Sequence, residues 1–275
     1  MVMGTSLIDA QFSYLFVPGQ RPDRFGKALA AGADAVVVDL EDAVPPEAKD
    51  SARRFVEAWL ANGASAWVRI NGFGTQWFYE DLAALKRAPP VGIMVPKVNS
   101  RAELDEVWQY TRPDLPVIPL IETAVGLMAS FEIARAPGVV RLAFGAIDFQ
   151  LDIDVDTDGA PLLLARSQLV VHSRAAGISA PLDGITVDTK AHENVLQAAL
   201  QARALGFGGK MCIHPSQVSA IRQAFSPTPE QLEWARGIIH AAELSGGAAT
   251  TFQGKMIDRP IIDRAERMLR RRATL

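Results

Sequence analysis

The chain has 275 residues, of which 49% are hydrophobic and 21% are charged, and its formal net charge is −3. These values are ordinary for a globular protein, and the lack of excess cations argues against a nucleic-acid-binding protein. No apolar run is long enough to cross a bilayer, which argues against a membrane protein. The single cysteine, Cys212, cannot form an internal disulfide, and the first residues lack the pattern of a signal peptide. We therefore expect a cytoplasmic protein.

Apolar runs typical of buried strands alternate with segments of helical spacing over the first 225 residues. The predicted strands cover residues 13–17, 35–40, 66–70, 91–97, 116–121, 139–145, 183–188 and 209–215. The predicted helices cover residues 21–32, 46–63, 75–88, 100–110, 123–138, 160–177 and 191–206. About eight strands alternating with helices predict an α/β fold of the (β/α)8 (TIM) barrel type for residues 1–225. A doubly wound open sheet is an alternative, although no Gly-x-Gly-x-x-Gly turn follows the first strand.

Residues 226–275 extend beyond what a barrel needs. A helix is predicted over residues 226–247, with Thr228 as its N-cap, Pro229 in its first turn and Gln231 completing a capping box. A polar loop over residues 248–260 and a final helix over residues 261–272 follow. We interpret this C-terminal helical extension as a lid or as a contact between subunits.

Two acidic residues follow neighbouring strands in the middle of the chain. Glu122 comes directly after the strand at 116–121, and Asp148 comes shortly after the strand at 139–145. The helix between these strands makes a βαβ unit, so the strands should be parallel and end at the same edge of the sheet. Two carboxylates side by side are suitable ligands for Mg²⁺. The alternative is that each acid caps the helix that follows it.

Further polar residues stand at the ends of other predicted strands, where barrel enzymes have their active sites: Asp39, Glu41, Asp42, Arg69, Lys97 and His214. Arg69 is expected to bind a substrate carboxylate, or else to pair with Glu41 or Asp42. These two acids could support the metal site or cap their own loop. Lys97 and Lys210 could form a Schiff base if buried, but an ion pair is the favoured interpretation. His214 is interpreted as a structural histidine.

One acidic stretch resembles half of a calcium loop. Asp154, Asp156, Asp158 and Gly159 match the first part of an EF-hand loop, but its twelfth position is Ala165, which has no carboxylate. We interpret the stretch as an acidic surface loop.

An ordered set of short segments is similar to the citrate lyase beta-subunit-like branch of the HpcH/HpaI aldolase family. The segments are YLFVPG (14–19), VVDLEDAV (37–44), VRIN (68–71), VPKV (95–98), PLIET (119–123), FGAIDF (144–149), ARSQLVV (165–171), GKMCIHP (209–215) and GKMIDRP (254–260). The resemblance implies a (β/α)8 barrel that binds Mg²⁺ and cleaves or forms C–C bonds in CoA thioesters of 2-hydroxy acids, as citramalyl-CoA and malyl-CoA lyases do.

The same resemblance implies roles for particular residues. Glu122 and Asp148 fall on the metal ligands, Arg69 on the substrate-binding arginine, and Asp258 on a catalytic lid aspartate that a neighbouring subunit contributes in related lyases. Glu41 and Asp42 are further catalytic candidates, and Gly145 and Ala146 are candidate substrate-binding positions. A homotrimer or a hexamer is expected.

Three alternatives stay open. The chain could be an aldolase that acts on free 2-oxo acids without CoA, a Schiff-base aldolase, or a subunit of a citrate lyase complex whose substrate is carried on an acyl-carrier partner. Many members of the family carry one or two arginines just before the first strand, where this chain has Gln11, Phe12 and Ser13.

Overall fold

Eight parallel strands form a closed barrel in chain order, with the last strand paired to the first. The structure is a computed structural model that describes residues 5–189, 191–244 and 250–273. The strands are β1 (Ser13–Pro18), β2 (Ala35–Asp39), β3 (Trp67–Arg69), β4 (Gly92–Val95), β5 (Val117–Ile121), β6 (Arg141–Phe144), β7 (Ser179–Asp183) and β8 (Gly209–Cys212). The predicted barrel is thus confirmed, and the open sheet is wrong.

Helices follow the strands as the alternation predicts. They are α1 (Thr5–Asp9), α2 (Phe25–Leu29), α3 (Lys49–Ala61), α4 (Phe78–Arg87), α5 (Arg101–Tyr110), α6 (Ala124–Ala134), α7 (Ala146–Asp152), α8 (Leu163–Ala176), α9 (His192–Leu205) and α10 (Val218–Phe225). No helix in the described part of the chain is both long and apolar enough to span a membrane.

The barrel interior is filled with side chains. Strand β2 has the sequence AVVVD and is buried throughout, as expected of a strand covered on both faces. One apolar cluster joins residues from all eight strands, including Tyr14, Val37, Trp67 and Met211. Because the interior is packed, the space for a ligand lies at the ends of the strands.

The predicted seventh strand was placed too late in the sequence. Residues 183–188 were expected to form it, but β7 covers Ser179–Asp183, and residues 184–186 are a loop. The segment SAPLD contains Pro181, which lacks an N–H group and makes a strand hard to recognise. The β-branched residues that follow it gave the misleading strand pattern.

Contacts divide the chain into two units, Met1–Ala224 and Phe225–Leu275. The second unit contains α11 (Pro229–Leu244), β9 (Thr250–Phe252), β10 (Lys255–Ile257) and α12 (Arg259–Ala273). The capping box is confirmed, because Gln231 N donates to Thr228 Oγ1 at 3.2 Å and Thr228 N donates to Gln231 Oε1 at 3.1 Å. The function of this unit as a lid stays a prediction.

The polar loop expected over residues 248–260 is wrong for the part that the structure describes. Strands β9 and β10 form an antiparallel hairpin there. Its turn residues, Gln253 and Gly254, both have positive φ angles, of 50° and 73°. Two-residue turns with positive φ at both positions match the twist of a hairpin, and the glycine is the sequence signal for this turn.

Candidate active site

A cavity of about 420 Å³ lies at the carboxyl ends of the barrel strands. Residues from the ends of β1, β2, β3, β5, β6 and β8 contribute to its wall. Six of the predicted site residues line it together: Asp42, Arg69, Glu122, Gly145, Ala146 and Asp148. The barrel therefore brings together side chains that are up to about a hundred residues apart in the sequence.

Glu122 is a deeply buried acid of the cavity. It follows β5 directly and is only 2% exposed, whereas Asp148 lies in the first turn of α7, after β6. Burial, together with the charges of Glu41 and Asp148, raises the pKa of Glu122 to about 8. The carboxylates of Glu122 and Asp148 are thus close enough to interact. A pKa of about 8 means that, without a bound metal ion, the Glu122 side chain is mostly protonated at neutral pH.

Gly145 is required by the position of Glu122. A Cβ atom at residue 145 would lie 2.2 Å from Glu122 Oε1, well inside the contact distance of real atoms. Gly145 N also donates to Ile121 O at 3.0 Å, which fixes the chain between β6 and α7 against the end of β5. The absence of a side chain therefore lets the acid of one strand tip lie against the backbone of the next.

Arg69 is held by acids on the neighbouring strand. Its Nε and Nη2 atoms each donate to the carboxylate of Asp39 at 2.7 Å, and Nη1 lies 2.8 Å from Glu41 Oε2. Burial alone would lower the pKa of Arg69, but the carboxylates of Asp39 and Glu41 outweigh it and raise it. Asp42, which the sequence left as a possible partner, is farther away at 3.8 Å. The role of Asp39 was not predicted, although its position at a strand end was the signal.

Lys97 is a second cation of the site, and it forms the ion pairs that the sequence interpretation favoured. Its Nζ lies 2.9 Å from Glu41 Oε1 and 3.3 Å from Asp148 Oδ1, and its backbone N donates to Glu122 Oε2 at 2.8 Å. Burial would lower the pKa of Lys97, but Glu41 outweighs it and raises it. Lys97 has a φ of 53°, a conformation that is uncommon for a residue other than glycine. Such strain is often found where a functional site fixes the backbone.

The cavity carries more negative than positive charge. Five carboxylates stand at or directly beside it, and the cations in contact with them there are Arg69 and Lys97. Within the described residues no group of three or more His, Cys, Asp or Glu side chains is arranged to hold a metal ion. Mg²⁺ needs fewer protein ligands than that, because it keeps several waters and commonly binds to one or two carboxylates. Glu122 and Asp148 fit that requirement.

The other sequence candidates have structural partners. His214 Nδ1 accepts from Ser216 N at 3.2 Å and caps a short 3-10 turn, as interpreted from the sequence. Lys210 Nζ lies 3.1 Å from Asp183 Oδ2. In the stretch that resembled a calcium loop, Asp158 is paired with Arg166.

Asp258 belongs to the second unit and precedes α12. Its backbone carbonyl accepts from the N–H groups of Ile261 and Ile262, each at 3.1 Å. These contacts begin the last helix. The catalytic role of Asp258 stays a prediction.

The fold and this cavity define a class: a (β/α)8 barrel enzyme with an acidic site at its strand ends. Residues 13–215 match the HpcH/HpaI aldolase/citrate lyase family. A citrate lyase subunit beta-like protein of Mycobacterium tuberculosis is 38% identical, covering 94% of each chain. A (3S)-malyl-CoA thioesterase of Cereibacter sphaeroides is 32% identical, covering 90% of this chain and 89% of the relative.

One solved structure is especially similar. The protein CitE of Mycobacterium tuberculosis, in complex with magnesium, acetoacetate and coenzyme A, superposes with a TM-score of 0.85 at 36% identity. The match covers 96% of this chain and 99% of that protein. The chain belongs to the HpcH/HpaI aldolase/citrate lyase family, and it is accordingly an enzyme of the carbon–carbon lyase type.

Proposed function

We propose that the protein is a Mg²⁺-dependent lyase that cleaves the CoA thioester of a 2-hydroxy acid, such as malyl-CoA or citramalyl-CoA. The products would be acetyl-CoA and a 2-oxo acid. The observation that carries the proposal is the pair of acids at neighbouring strand tips, Glu122 and Asp148, in one cavity with an excess of negative charge. The relative that holds magnesium, acetoacetate and coenzyme A together supports the same class of substrate.

The residues of the cavity fit a magnesium ion. Glu122 and Asp148 would hold it, since both are hard oxygen ligands and Glu122 has a raised pKa that a bound cation would relieve. When bound, Mg²⁺ supplies Lewis-acid chemistry, polarising the oxygen atoms of the 2-hydroxy acid end of the substrate.

Arg69 is placed to bind and stabilise negative charge in the cavity. Asp39 fixes its guanidinium through two hydrogen bonds of 2.7 Å, so its charge does not have to reorganise during the reaction. Cleavage of the C–C bond leaves its electron pair on the thioester fragment as an enolate, and the hydroxyl group loses its proton. Arg69 would stabilise that enolate or clamp the substrate carboxylate. Gly145 and Ala146 also line the cavity and would contact the substrate.

Glu41 and Asp42 are the two acids that lie close to both cations of the site, Arg69 and Lys97. Glu41 contacts both Arg69 and Lys97, whereas Asp42 lines the cavity and is more than half exposed. Asp42 is therefore the better placed of the two to accept the proton of the substrate hydroxyl. Glu41 would serve catalysis by holding Arg69 and Lys97.

Asp258 would protonate the enolate carbon after a lid closes over the cavity and excludes water. In the assembly we propose, a homotrimer or a hexamer, the lid reaches a neighbouring subunit. Asp258→Ala should keep the affinity for Mg²⁺ and substrate but lower kcat by about 10²-fold or more, since this is the typical contribution of a general acid. Isothermal titration with a substrate analogue and steady-state kinetics would check this. Unchanged turnover would remove Asp258 from the mechanism.

The decisive experiment is a substrate screen with purified protein in Mg²⁺ or in EDTA. Malyl-CoA, citramalyl-CoA, their free acids and free 4-hydroxy-2-oxo acids are offered, and release of acetyl-CoA and of a 2-oxo acid is measured. We expect turnover of a thioester in Mg²⁺ and none in EDTA. Turnover of free 2-oxo acid substrates alone would establish the CoA-independent aldolase instead.

Two further outcomes would also overturn the proposal. Turnover that survives EDTA, together with borohydride trapping of Lys97 or Lys210, would indicate a Schiff-base aldolase. Activity seen only in a stable complex with an acyl-carrier partner would indicate a citrate lyase subunit.

A further inference from the structure

Lys49 is a buried cation that lies behind the active-site loop and does not line the cavity. It is the first residue of α3 and is 6% exposed. Its Nζ donates to the carbonyl oxygens of Leu40 and Glu41, each at 2.7 Å, and to Asn71 Oδ1 at 2.6 Å. An ammonium group has three donors, so all of them are used on uncharged oxygens.

The third acceptor is itself held in place. Asn71 donates to Asp81 Oδ2 through its backbone N at 2.9 Å and through Nδ2 at 2.6 Å. Arg53 Nε donates to the other oxygen of Asp81 at 2.9 Å. Because Nδ2 of Asn71 is committed to Asp81, its Oδ1 must face Lys49. The site around the ammonium group is therefore built to receive it.

A buried ammonium without a direct carboxylate partner is an expensive way to stabilise a fold. A methionine would fill nearly the same space without that cost. Buried charged groups of this kind are retained in some proteins because they specify one arrangement rather than because they add stability. What Lys49 specifies is the path of the chain directly after β2, since it binds two consecutive carbonyl groups there.

That short segment carries Glu41. Glu41 N donates to Asp39 Oδ1 at 2.9 Å, and its carboxylate contacts Arg69 on one side and Lys97 on the other. Asp39 thus fixes the segment through its N–H group, and Lys49 fixes it through its carbonyl groups.

We propose that Lys49 is a positioning residue of the active site. It holds the backbone of residues 40–41 so that the Glu41 carboxylate reaches both Arg69 and Lys97, and it thereby sets the positions of the two cations. The effect on catalysis rests on the proposed lyase function, but the effect on Glu41 does not.

The test compares Lys49→Met with Arg141→Met. Arg141 is a fully buried cation that also donates to a backbone carbonyl, that of Gln11, but it stands at the start of β6, away from the strand tips. Each variant is characterised by crystallography, by thermal melting, by Mg²⁺ titration calorimetry and by the kinetics of thioester cleavage. Arg141→Met measures what the loss of a buried cation does to stability alone.

In Lys49→Met, we expect the Glu41 carboxylate to move away from Arg69 and Lys97 and kcat to fall about 10- to 100-fold, as when a supporting partner of an active-site group is lost. KM and the Mg²⁺ dissociation constant should stay within about threefold, because Lys49 touches neither the cavity nor the metal acids. Lys49→Arg should restore part of kcat, since its guanidinium can donate to the same carbonyls. Arg141→Met should melt earlier with an unchanged kcat.

The proposal fails if Glu41 is unmoved in Lys49→Met, or if Lys49→Met lowers the melting temperature but leaves kcat unchanged, as Arg141→Met is expected to do. If Lys49→Met does not fold, Lys49→Gln is tested by the same criteria, because the NH₂ group of its amide can donate to the carbonyl groups of Leu40 or Glu41. If the wild-type protein cleaves no thioester, the proposed lyase function is wrong. The position of Glu41 in Lys49→Met would still test the role of Lys49.

Discussion

The barrel holds two clusters of charged side chains at its strand ends, and they differ in charge balance. The metal-side cluster consists of Asp39, Glu41, Asp42, Arg69, Lys97, Glu122 and Asp148. The β7–β8 cluster consists of Asp158, Arg166, Asp183 and Lys210. In the second cluster each acid meets a cation, and Asp183 contacts both Arg166 and Lys210 at 2.9 and 3.1 Å.

The difference shows what distinguishes a binding site from a structural ion cluster. Both clusters are largely buried, so burial of charge alone does not mark the site. In the β7–β8 cluster two acids and two cations neutralise each other. In the metal-side cluster the acids outnumber the cations, and burial together with nearby carboxylates raises the pKa of Glu122 to about 8. An unbalanced cluster is one that a divalent cation would complete.

The largest expected effect on activity comes from removing an acid of the metal-side cluster. Asp148→Ala should abolish measurable Mg²⁺ binding and lower turnover about 10³-fold, because metal polarisation is worth several kcal/mol in the transition state. Titration calorimetry and the thioester cleavage assay measure the two effects. The fold should remain, since Asp148 is partly exposed and its contact with Lys97 is a single ion pair of 3.3 Å. Retained Mg²⁺ affinity would show that the ion is held elsewhere.

The matched change in the β7–β8 cluster should lower the stability of the fold rather than the affinity for Mg²⁺. Asp183→Asn leaves the buried Lys210 ammonium without its carboxylate, and breaking a buried pair in this way costs about 3–5 kcal/mol. Urea unfolding should show that loss, whereas the Mg²⁺ dissociation constant should stay within about threefold, because Asp183 does not line the metal cavity. A large drop in Mg²⁺ affinity would mean that the two clusters are not independent.

Much of the barrel could be predicted because its strands follow a simple rule. Segments such as AVVVD are buried on both faces and read as apolar runs, and glycines and prolines mark where they end. The rule failed at β7, where Pro181 and small residues hide the strand. It also failed at the hairpin of residues 250–257, where each strand has only three residues and is too short to show a pattern.

The positions of the site residues could be predicted, but their pairing could not. Strand ends meet at one edge of a parallel barrel, which is why Glu122, Asp148 and Arg69 could be placed in one region from sequence. Side-chain partners depend on strand register and rotamer. Asp39 is the register partner of Arg69 on adjacent strands, and this explains the bidentate pair that sequence spacing did not reveal. The backbone of Lys97, with its positive φ, had no signal in the sequence.

The smallest expected effect is a pH dependence that comes from Glu122 of the metal-side cluster. The pKa of Glu122 is raised from 4.5 to about 8, so the folded metal-free protein keeps a proton there that the unfolded chain loses above pH 4.5. The folded state binds more protons between these values, so the metal-free protein should lose stability as the pH rises from 4.5 to 8. Mg²⁺ must displace that proton, so its affinity should increase about tenfold per pH unit up to pH 8 and then level off.

Thermal melting between pH 6 and 8.5, in EDTA and in Mg²⁺, measures both trends without any substrate. The melting temperature in EDTA should decline with rising pH, and the increase that Mg²⁺ produces should grow toward pH 8. In Glu122→Gln, which cannot ionise at this position, both trends should weaken, whereas Asp183→Asn should keep them because the β7–β8 cluster is separate. A Mg²⁺ effect that is the same at every pH would mean that Glu122 is already ionised in the metal-free protein. The excess of negative charge in the metal-side cluster would then not raise the pKa of Glu122, and the proposed difference between the two clusters would be wrong.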